Sequence, residues 1–407
     1  MNSRPALHFT PERGWINDPH GVTFRDGVYH LFHQAVPDST QWQPGISWGH
    51  VTSPDLLTWQ QQLPALAPGN GDDGCWSGSV CTTPLQEPPA MYYTSVDVAD
   101  VDKGAVRIAR PLDDAWLAWR KGPVVVTPAE QPPVRSFRDP NVFWDGDCWR
   151  MLVGAGYADG RGAVLCYSST DQENWIAGGA LVESERPESY GARHLTWECP
   201  QLVRVGDRHV LLVSVQADEQ GKDVLVAVGS YRAGRMQVDH WAPLTYGPGH
   251  YAATTFLDAD GEPCVIFWIR GVGDADAGWN GALSIPYRLS IVDGRVAVRP
   301  HPVLAGARPD PGLTAGFTWR SGQGGTDRLT LGSDDGRRAL DLLRTGDQLT
   351  VSTAAGIVTA PLEGDHVDVL VDGCVLEVAT QRGVVGLPLS PCPDAAPRGA
   401  GITPWWP

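Results

Sequence analysis

The sequence predicts an all-β protein, a five-bladed β-propeller followed by a small C-terminal β-sandwich. Three observations lead to this prediction: short alternating runs of aromatic and aliphatic residues, a spacing of about 60 residues between successive runs, and no long stretch with helical periodicity. Runs of this kind, bounded by Gly, Pro and Asp, are typical of strands. A unit of this length accommodates four short strands and their loops, and five such units indicate five blades around a central axis.

The five runs mark comparable points in successive units. Most of them follow a Gly or Pro turn, and the anchors are separated by 62, 58, 60 and 55 residues. The anchors are Tyr29, Met91, Trp149, His209 and Cys264. We assign each run to the second strand of its blade.

A second repeated stretch follows three of the runs, at residues 53–59, 111–116 and 169–175. Each stretch contains a Ser or Pro, then Asp, and ends in Trp. We interpret each as a turn followed by the outer strand of a blade, with Trp59, Trp116 and Trp175 opening those strands.

The propeller repeat ends near residue 298, and this predicts the domain division. Residues 1–298 would form the catalytic propeller, residues 299–311 a Pro-rich linker, and residues 312–407 the sandwich. Period-two alternation at 328–331, 339–343, 348–352 and 367–372 indicates the strands of the sandwich. The last segment, residues 387–407, is rich in Pro and Gly, and we expect it to wrap a surface.

Composition excludes several classes of function. The 31 basic and 47 acidic residues give a net charge of −16, which disfavours nucleic acid and anionic membranes as partners. The eight cysteines are scattered singly and no zinc-type spacing occurs, so we expect no metal, no cofactor and no disulfide scaffold. No apolar segment follows the N-terminus, and we therefore expect a cytoplasmic protein. The oligomeric state is left open.

Three acidic residues occupy the same position in their repeat units. Asp18, Asp139 and Glu198 lie 11, 10 and 11 residues before the anchors of units one, three and four. This position belongs to the innermost strand of a blade, and innermost strands converge on the propeller axis. A single acid beside a Pro would most simply indicate a structural turn. Three in register instead predict a site in the central funnel.

Clustered carboxylates without a metal pattern suggest glycoside chemistry, in which one acid attacks the sugar or activates a water molecule and another protonates the leaving oxygen. Repulsion between the acids should raise the pKa of at least one of them. The apolar flank of Trp197 and Cys199 favours Glu198 as the proton donor. Arg138 should instead keep Asp139 ionised, as expected for a carboxylate that binds substrate hydroxyls.

At these residues the chain resembles glycoside hydrolase family 32, the invertase, inulinase and levanase group. The family signature Trp-x-Asn-Asp-Pro-Asn-Gly is similar to residues 15–21, its Arg-Asp-Pro to residues 138–140, and its Glu-Cys to residues 198–199. The resemblance extends nearly from end to end. Weaker similar stretches lie at residues 31–34, 48–50, 76–79, 251–252 and 372–378.

The resemblance implies a retaining hydrolase that releases terminal β-D-fructofuranosyl units from sucrose, fructo-oligosaccharides or fructans through a fructosyl-enzyme. By motif position, Asp18 would be the nucleophile, Glu198 the acid/base and Asp139 the transition-state stabiliser. The residues implied to line the fructosyl subsite are Asn17, Gln34, Trp42, Trp76, Ser77, Arg138 and Tyr251. For Trp42 and Trp76 an ordinary packing role is the alternative.

Three residues depart from the family pattern: His20 replaces an Asn, His33 a Tyr, and Gln201 an Asp. None removes a carboxylate, but each could change the polarity around one. Two other functions stay open at this point, a fructosyltransferase on the same scaffold and a catalytically silent sugar-binding protein. The sequence also leaves open whether the donor is sucrose, a phosphorylated sucrose or a fructan, and whether the short sandwich contributes to the site.

Overall fold

The computed structural model confirms the five-bladed propeller and the C-terminal sandwich. It describes residues 4–82, 89–128, 130, 132–185, 194–217, 221–309, 313–322, 326–332, 338–390 and 396–406. No helix formed by these residues has the length and apolarity needed to cross a membrane.

The first four blades are antiparallel four-stranded meanders whose strands follow one another in sequence order. Blade I comprises β1 (Gly14–Arg25), β2 (Val28–Val36), β3 (Ser47–Ser53) and β4 (Gln60–Gln61). Blade II comprises β5 (Gly74–Cys81), β6 (Ala90–Val96), β7 (Ala105–Pro111) and β8 (Trp119–Val126). Blade III comprises β9 (Val134–Trp144), β10 (Trp149–Tyr157), β11 (Gly162–Ser169) and β12 (Ile176–Glu183). Blade IV comprises β13 (Leu195–Val205), β14 (Arg208–Ala217), β15 (Gly221–Arg232) and β16 (Arg235–Pro243).

Blade V joins the last part of the propeller to the first. After the short strand β17 (Thr245–Tyr246), its strands are β18 (His250–Leu257), β19 (Pro263–Asp274), β21 (Tyr287–Val292) and β22 (Arg295–Pro300). The additional strand β20 (Trp279–Leu283) pairs antiparallel with β19 and parallel with β1, where Gly14 lies opposite Trp279. This pairing closes the ring, so that blades I and V share one nine-stranded sheet.

The sandwich consists of two packed sheets. One has the order β17-β30-β29-β28-β23-β32 and the other the order β27-β26-β25-β24-β31. Apolar residues from the strands of both sheets, such as Phe317, Leu329 and Val369, form a core of their own between the sheets. The strands are β23 (Thr314–Arg320), β24 (Thr326–Gly332), β25 (Arg338–Thr345), β26 (Gln348–Thr353), β27 (Gly356–Pro361), β28 (His366–Asp372), β29 (Val375–Thr380), β30 (Gly383–Pro388), β31 (Ala396–Arg398) and β32 (Ile402–Pro404).

Two expectations require correction. The last segment does more than wrap a surface, because β31 and β32 add an edge strand to each sandwich sheet. Trp59 and Trp175 directly precede the outer strands that begin at Gln60 and Ile176, whereas Trp116 lies in the turn before the strand that begins at Trp119. Trp116 adopts a φ of 59°, a left-handed conformation that does not fit a strand.

The stretch assigned as a linker begins inside β22, which extends to Pro300. His301 then caps a short 3-10 helix, Pro302–Gly306, by accepting the N–H of Val303. Residues 310–312 lie outside the described part of the chain. The division into a propeller unit and a sandwich unit stays a prediction.

Candidate active site

The innermost strands of all five blades are irregular at the same level. β1, β5, β9, β13 and β18 each shift register against the neighbouring strand of the blade. Asp139, Cys199 and Ala252 lie at three of these shifts with φ values of 62°, 47° and 50°. An irregularity of this kind bends a strand and redirects its side chains. The inner strands therefore present side chains to the axis that a regular strand would direct sideways.

A pocket of about 380 Å³ lies where these strands converge. Nine of the ten predicted site residues line it, and the tenth, Ser77, contacts Asp18 directly. The nine are Asn17, Asp18, Gln34, Trp42, Trp76, Arg138, Asp139, Glu198 and Tyr251. Trp42 is 46% exposed at the pocket mouth, whereas Trp76 is 6% exposed, and their rings meet edge to face at 5.8 Å. The structure thus brings together acids from blades I, III and IV.

Asp18 is held by side-chain donors on both carboxylate oxygens. The Asn17 amide donates to Oδ1 over 2.9 Å, and the Ser77 hydroxyl donates to Oδ2 over 2.8 Å. The Asn17 amide is itself oriented, because its NH₂ donates to Gln34 over 2.8 Å and its oxygen accepts from the Trp15 indole over 3.0 Å. Asp18 therefore has a fixed orientation within the pocket.

Glu198 has two different neighbours. The Tyr251 hydroxyl donates to Oε2 over 2.6 Å, and Nη1 of Arg138 lies 3.5 Å from Oε1. Burial and the charge of Glu198 raise the pKa of Tyr251 well above its ordinary value, so the phenol stays protonated and remains a donor. Arg138 also donates to Asp102 over 2.9 Å and lies 5.0 Å above the Trp76 ring, which keeps the guanidinium at one wall of the pocket.

Asp139 accepts the backbone N–H of Cys199 over 3.0 Å, and its own N–H donates to Thr94 over 2.7 Å. Burial and then the negative charge of Glu198 raise the pKa of Asp139 well above its ordinary value, and Arg138 opposes them less strongly. Arg138 does lower the pKa of Asp139, as expected, but burial and the charge of Glu198 outweigh its effect. The hydrogen bonds of the guanidinium go to Glu198 and Asp102.

The three departures from the family pattern lie behind the pocket. The ring of His20 packs 4.0 Å from that of Trp48, and burial lowers the pKa of His20 well below its ordinary value. Burial likewise lowers the pKa of His33 to about 4. The Gln201 oxygen accepts from Thr254 and thereby ties β13 to β18. Since both imidazoles are neutral near pH 7, neither adds charge to the site.

Several residues in or beside the pocket were not predicted from the sequence. Trp15 lines the pocket two residues before Asn17, and Cys199 directly follows Glu198 and donates to Asp139, so their places in the two motifs could have indicated them. Asp102 and Trp268 line the pocket, and Thr94 accepts from the backbone of Asp139. No repeated position or motif marked these three residues.

One grouping in the described part of the chain has the residue types and spacing of a metal site, namely Asp258, Cys264 and His301. Asp258 Oδ2 accepts from the Arg288 guanidinium over 2.7 Å and from His301 over 2.9 Å. A guanidinium on the carboxylate disfavours a second cation at the same oxygen. We therefore interpret the grouping as an ion-pair network of blade V.

The fold and the pocket together define a propeller protein of the glycoside hydrolase type. Residues 8–302 match the family model described as Glycosyl hydrolases family 32 N-terminal domain. The chain belongs to this family, and the assignment from sequence resemblance is confirmed.

Characterised relatives support the same family. A sucrose-6-phosphate hydrolase of Zymomonas mobilis is 33% identical over 320 residues, which cover 73% of this chain and 61% of the relative. An insoluble-isoenzyme β-fructofuranosidase of Arabidopsis thaliana is 34% identical over 331 residues, which cover 70% of this chain and 53% of the relative. The aligned part thus spans less than two thirds of the length of these relatives.

Solved structures share the fold over nearly the whole chain. A Bombyx mori family 32 β-fructofuranosidase variant in complex with sucrose superposes with a TM-score of 0.84 at 22% identity, covering 99% of this chain and 94% of that one. A Cichorium intybus fructan 1-exohydrolase variant in complex with 1-kestose gives a TM-score of 0.80 at 21% identity, covering 95% and 91%.

Proposed function

We propose that this chain is a retaining β-fructofuranosidase that hydrolyses terminal β-D-fructofuranosyl units of sucrose, fructo-oligosaccharides or fructans. The observation that carries the proposal is the placement of Asp18 and Glu198 in one pocket, each with its own hydrogen-bond donors. Two separately oriented carboxyl groups are what a double-displacement glycosidase requires. Family membership supports the choice of a fructosyl donor.

In the first step, Asp18 Oδ attacks the anomeric carbon of the fructosyl unit and forms an ester with it. The bond from that carbon to the glycosidic oxygen breaks, and the oxygen leaves with the proton of Glu198. Ser77 and Asn17 hold the attacking carboxylate in position. Because Asp18 is already oriented, the reaction does not incur the entropy loss of ordering a free nucleophile.

In the second step, water replaces the leaving sugar. Glu198, now a carboxylate, takes a proton from the water, whose oxygen attacks the anomeric carbon and releases Asp18. The Tyr251 hydroxyl donates to Glu198 and orients it for both transfers. The two steps return every group to its starting protonation state.

Asp139 is assigned to the hydroxyl groups of the fructosyl ring. Thr94 and Cys199 hold its backbone and its carboxyl group at the pocket floor. In glycosidases, substrate distortion together with hydrogen bonds to sugar hydroxyls that strengthen in the transition state lowers the barrier by several kcal/mol. Trp42 and Trp76 supply the apolar surface on which a sugar ring packs.

The small-molecule partner proposed here is a fructoside. The relatives' names include hydrolases of sucrose 6-phosphate, raffinose and fructan. The preferred donor therefore has to be determined by experiment. Purified protein is incubated with sucrose, sucrose 6-phosphate, 1-kestose, inulin and levan, and the products are separated by anion-exchange chromatography. Release of free fructose supports the proposal.

The same experiment distinguishes the alternatives. Longer oligosaccharides in place of fructose would indicate a fructosyltransferase. Binding without any product would indicate a silent sugar-binding protein. Asp18→Asn is the matched control, because it keeps the size of the side chain and loses the nucleophile.

A further inference from the structure

The segment that enters blade V is held by the sandwich. β17 (Thr245–Tyr246) pairs in parallel with β30 of the sandwich. Further along, Gly249 approaches the Gly386 carbonyl so closely that an added Cβ would lie 1.8 Å from its oxygen. The chain therefore runs against the sandwich until it enters β18 at His250.

Glu377 of β29 fixes this entry point. Its Oε1 lies 2.7 Å from Nε2 of His250, and its Oε2 lies 2.7 Å from Nε2 of His8 and accepts the N–H of Ile285 over 3.0 Å. The side chains of Glu377 and His250 are 1% and 0% exposed. A buried carboxylate depends on such partners, since water no longer solvates it. Glu377 thus provides the hydrogen bond to the His250 ring, which also packs against Phe267.

The next residue reaches the pocket. Neighbouring residues of a strand face opposite sides, so that His250 contacts the sandwich while the Tyr251 phenol lies 2.6 Å from Glu198 Oε2. We propose that Glu377 is a positioning residue for the hydrolase, holding the Tyr251 hydroxyl on Glu198 through His250. The inference rests on the proposed function in assigning Glu198 the acid/base role. Through this chain of contacts the sandwich would contribute indirectly to the chemistry of the propeller.

The same interface provides a matched control. Asp372 is as buried as Glu377, with its side chain 0% exposed, and accepts the N–H of Leu7 over 2.7 Å and the hydroxyl of Thr314 over 3.0 Å. It also contacts His8, over 2.8 Å. Among the described residues, Asp372 thus bonds to the N-terminal segment and to β23, and to no residue of β18. A general loosening of the interface would follow from changing either acid, whereas loss of positioning would follow from changing Glu377.

The kinetic test compares Glu377→Gln with Asp372→Asn on two donors. Sucrose needs a proton on its leaving oxygen, and β-fructofuranosyl fluoride needs little. Glu377→Gln should lower kcat/KM for sucrose roughly 10- to 100-fold and leave first-turnover fluoride release within a few-fold. Asp372→Asn should change the two rates in the same proportion. Adding Glu377→Gln to Tyr251→Phe should cause no further loss on sucrose, since both changes remove one interaction. Equal losses on both donors, or additive losses, would overturn the inference.

Crystal structures of the two variants test the positioning role of Glu377 independently of activity. In crystals of Glu377→Gln, the Tyr251 hydroxyl should leave hydrogen-bonding distance of Glu198, and in Asp372→Asn it should remain. A retained contact in the first variant refutes the proposal. If Glu377→Gln does not fold, His250→Gln carries the same expectations, because it changes the other half of the contact. Failure of the proposed function is detected separately, as the absence of fructose release by the unaltered chain.

Discussion

Cys199 donates its backbone N–H to Asp139 over 3.0 Å, and its thiol sulfur lies 3.6 Å from the same oxygen, Oδ2. The sulfur is also 3.7 Å from Oδ2 of Asp18. The φ of 47° at Cys199 directs both donors toward the carboxylates. The residue after the proposed acid/base therefore links the other two acids.

Cys199→Ala should keep the backbone hydrogen bond and lose only the thiol, because every substitution except Pro retains the N–H. We expect a decrease in kcat/KM on sucrose of less than about 10-fold, in line with the loss of one weak donor. Burial raises the pKa of the Cys199 thiol well above its ordinary value, so it is protonated at neutral pH. Iodoacetamide at pH 7 should consequently leave activity intact, as measured by residual rate and intact mass. Rapid inactivation that Cys199→Ala abolishes would contradict this expectation.

The stability of the protein should depend on the charge of His8. Burial alone would lower the pKa of His8, but Glu377 and Asp372 outweigh it and raise the pKa from 6.5 to about 9. A raised folded-state pKa contributes stability that is fully present below pH 6.5 and is lost as the pH rises to about 9, on the order of 3 kcal/mol. Urea unfolding should show this loss between pH 6 and pH 9.5.

His8→Gln is the control for that experiment, because Gln does not titrate. Its unfolding free energy should be lower at pH 6 and should not show this decline toward pH 9.5. A parallel decline in both proteins would assign the alkaline loss to other groups.

The sequence predicted the acids because they recur in register. The three acids, Asp18, Asp139 and Glu198, share one position of the repeat. Equal positions in a repeat occupy equivalent places in the blades, so spacing alone predicts that the three acids lie near one another. The Tyr251 contact with Glu198, and the division of Arg138 between Glu198 and Asp102, arise between blades. No spacing within one blade encodes such contacts.

Trp116 was misplaced because its residue type does not reveal its backbone conformation. Aromatic residues are frequent in strands, which favoured an interpretation of Trp116 as the first residue of one. Its φ of 59° and its buried ring show that it closes the turn by packing. Backbone conformation of this kind is set by the tertiary contacts of the ring and is not visible in residue type.

We propose that residues 1–298 and 312–407 are two folding units that unfold together. The sandwich has its own core, yet Leu370, Ala379 and Val384 belong to the core of blades IV and V. Differential scanning calorimetry should give one transition for the full chain. A chain truncated after residue 311 should be poorly soluble, since it exposes that shared core. Two separated transitions in the full chain would refute the coupling.

The reaction should proceed with net retention of configuration. Carboxyl groups about 5 to 5.5 Å apart leave no room for a water molecule between them, and this is the arrangement proposed for Asp18 and Glu198. Methanolysis of sucrose followed by proton and carbon NMR should yield methyl β-D-fructofuranoside as the first product. An initial α-methyl product would rule out the double displacement.

The roles of the three acids can be separated by leaving-group dependence. A general acid matters in proportion to the leaving group's need for a proton, whereas the nucleophile is needed whatever leaves. Asp18→Ala should be nearly inactive on both sucrose and β-fructofuranosyl fluoride. Glu198→Ala should lose roughly 10²- to 10⁴-fold on sucrose and still release fluoride in the first turnover. Asp139→Ala should be impaired on both donors, because it acts on the ring that they share. If Glu198→Ala is as inactive on the fluoride as Asp18→Ala, Glu198 acts as more than a proton donor and the assignment must be revised.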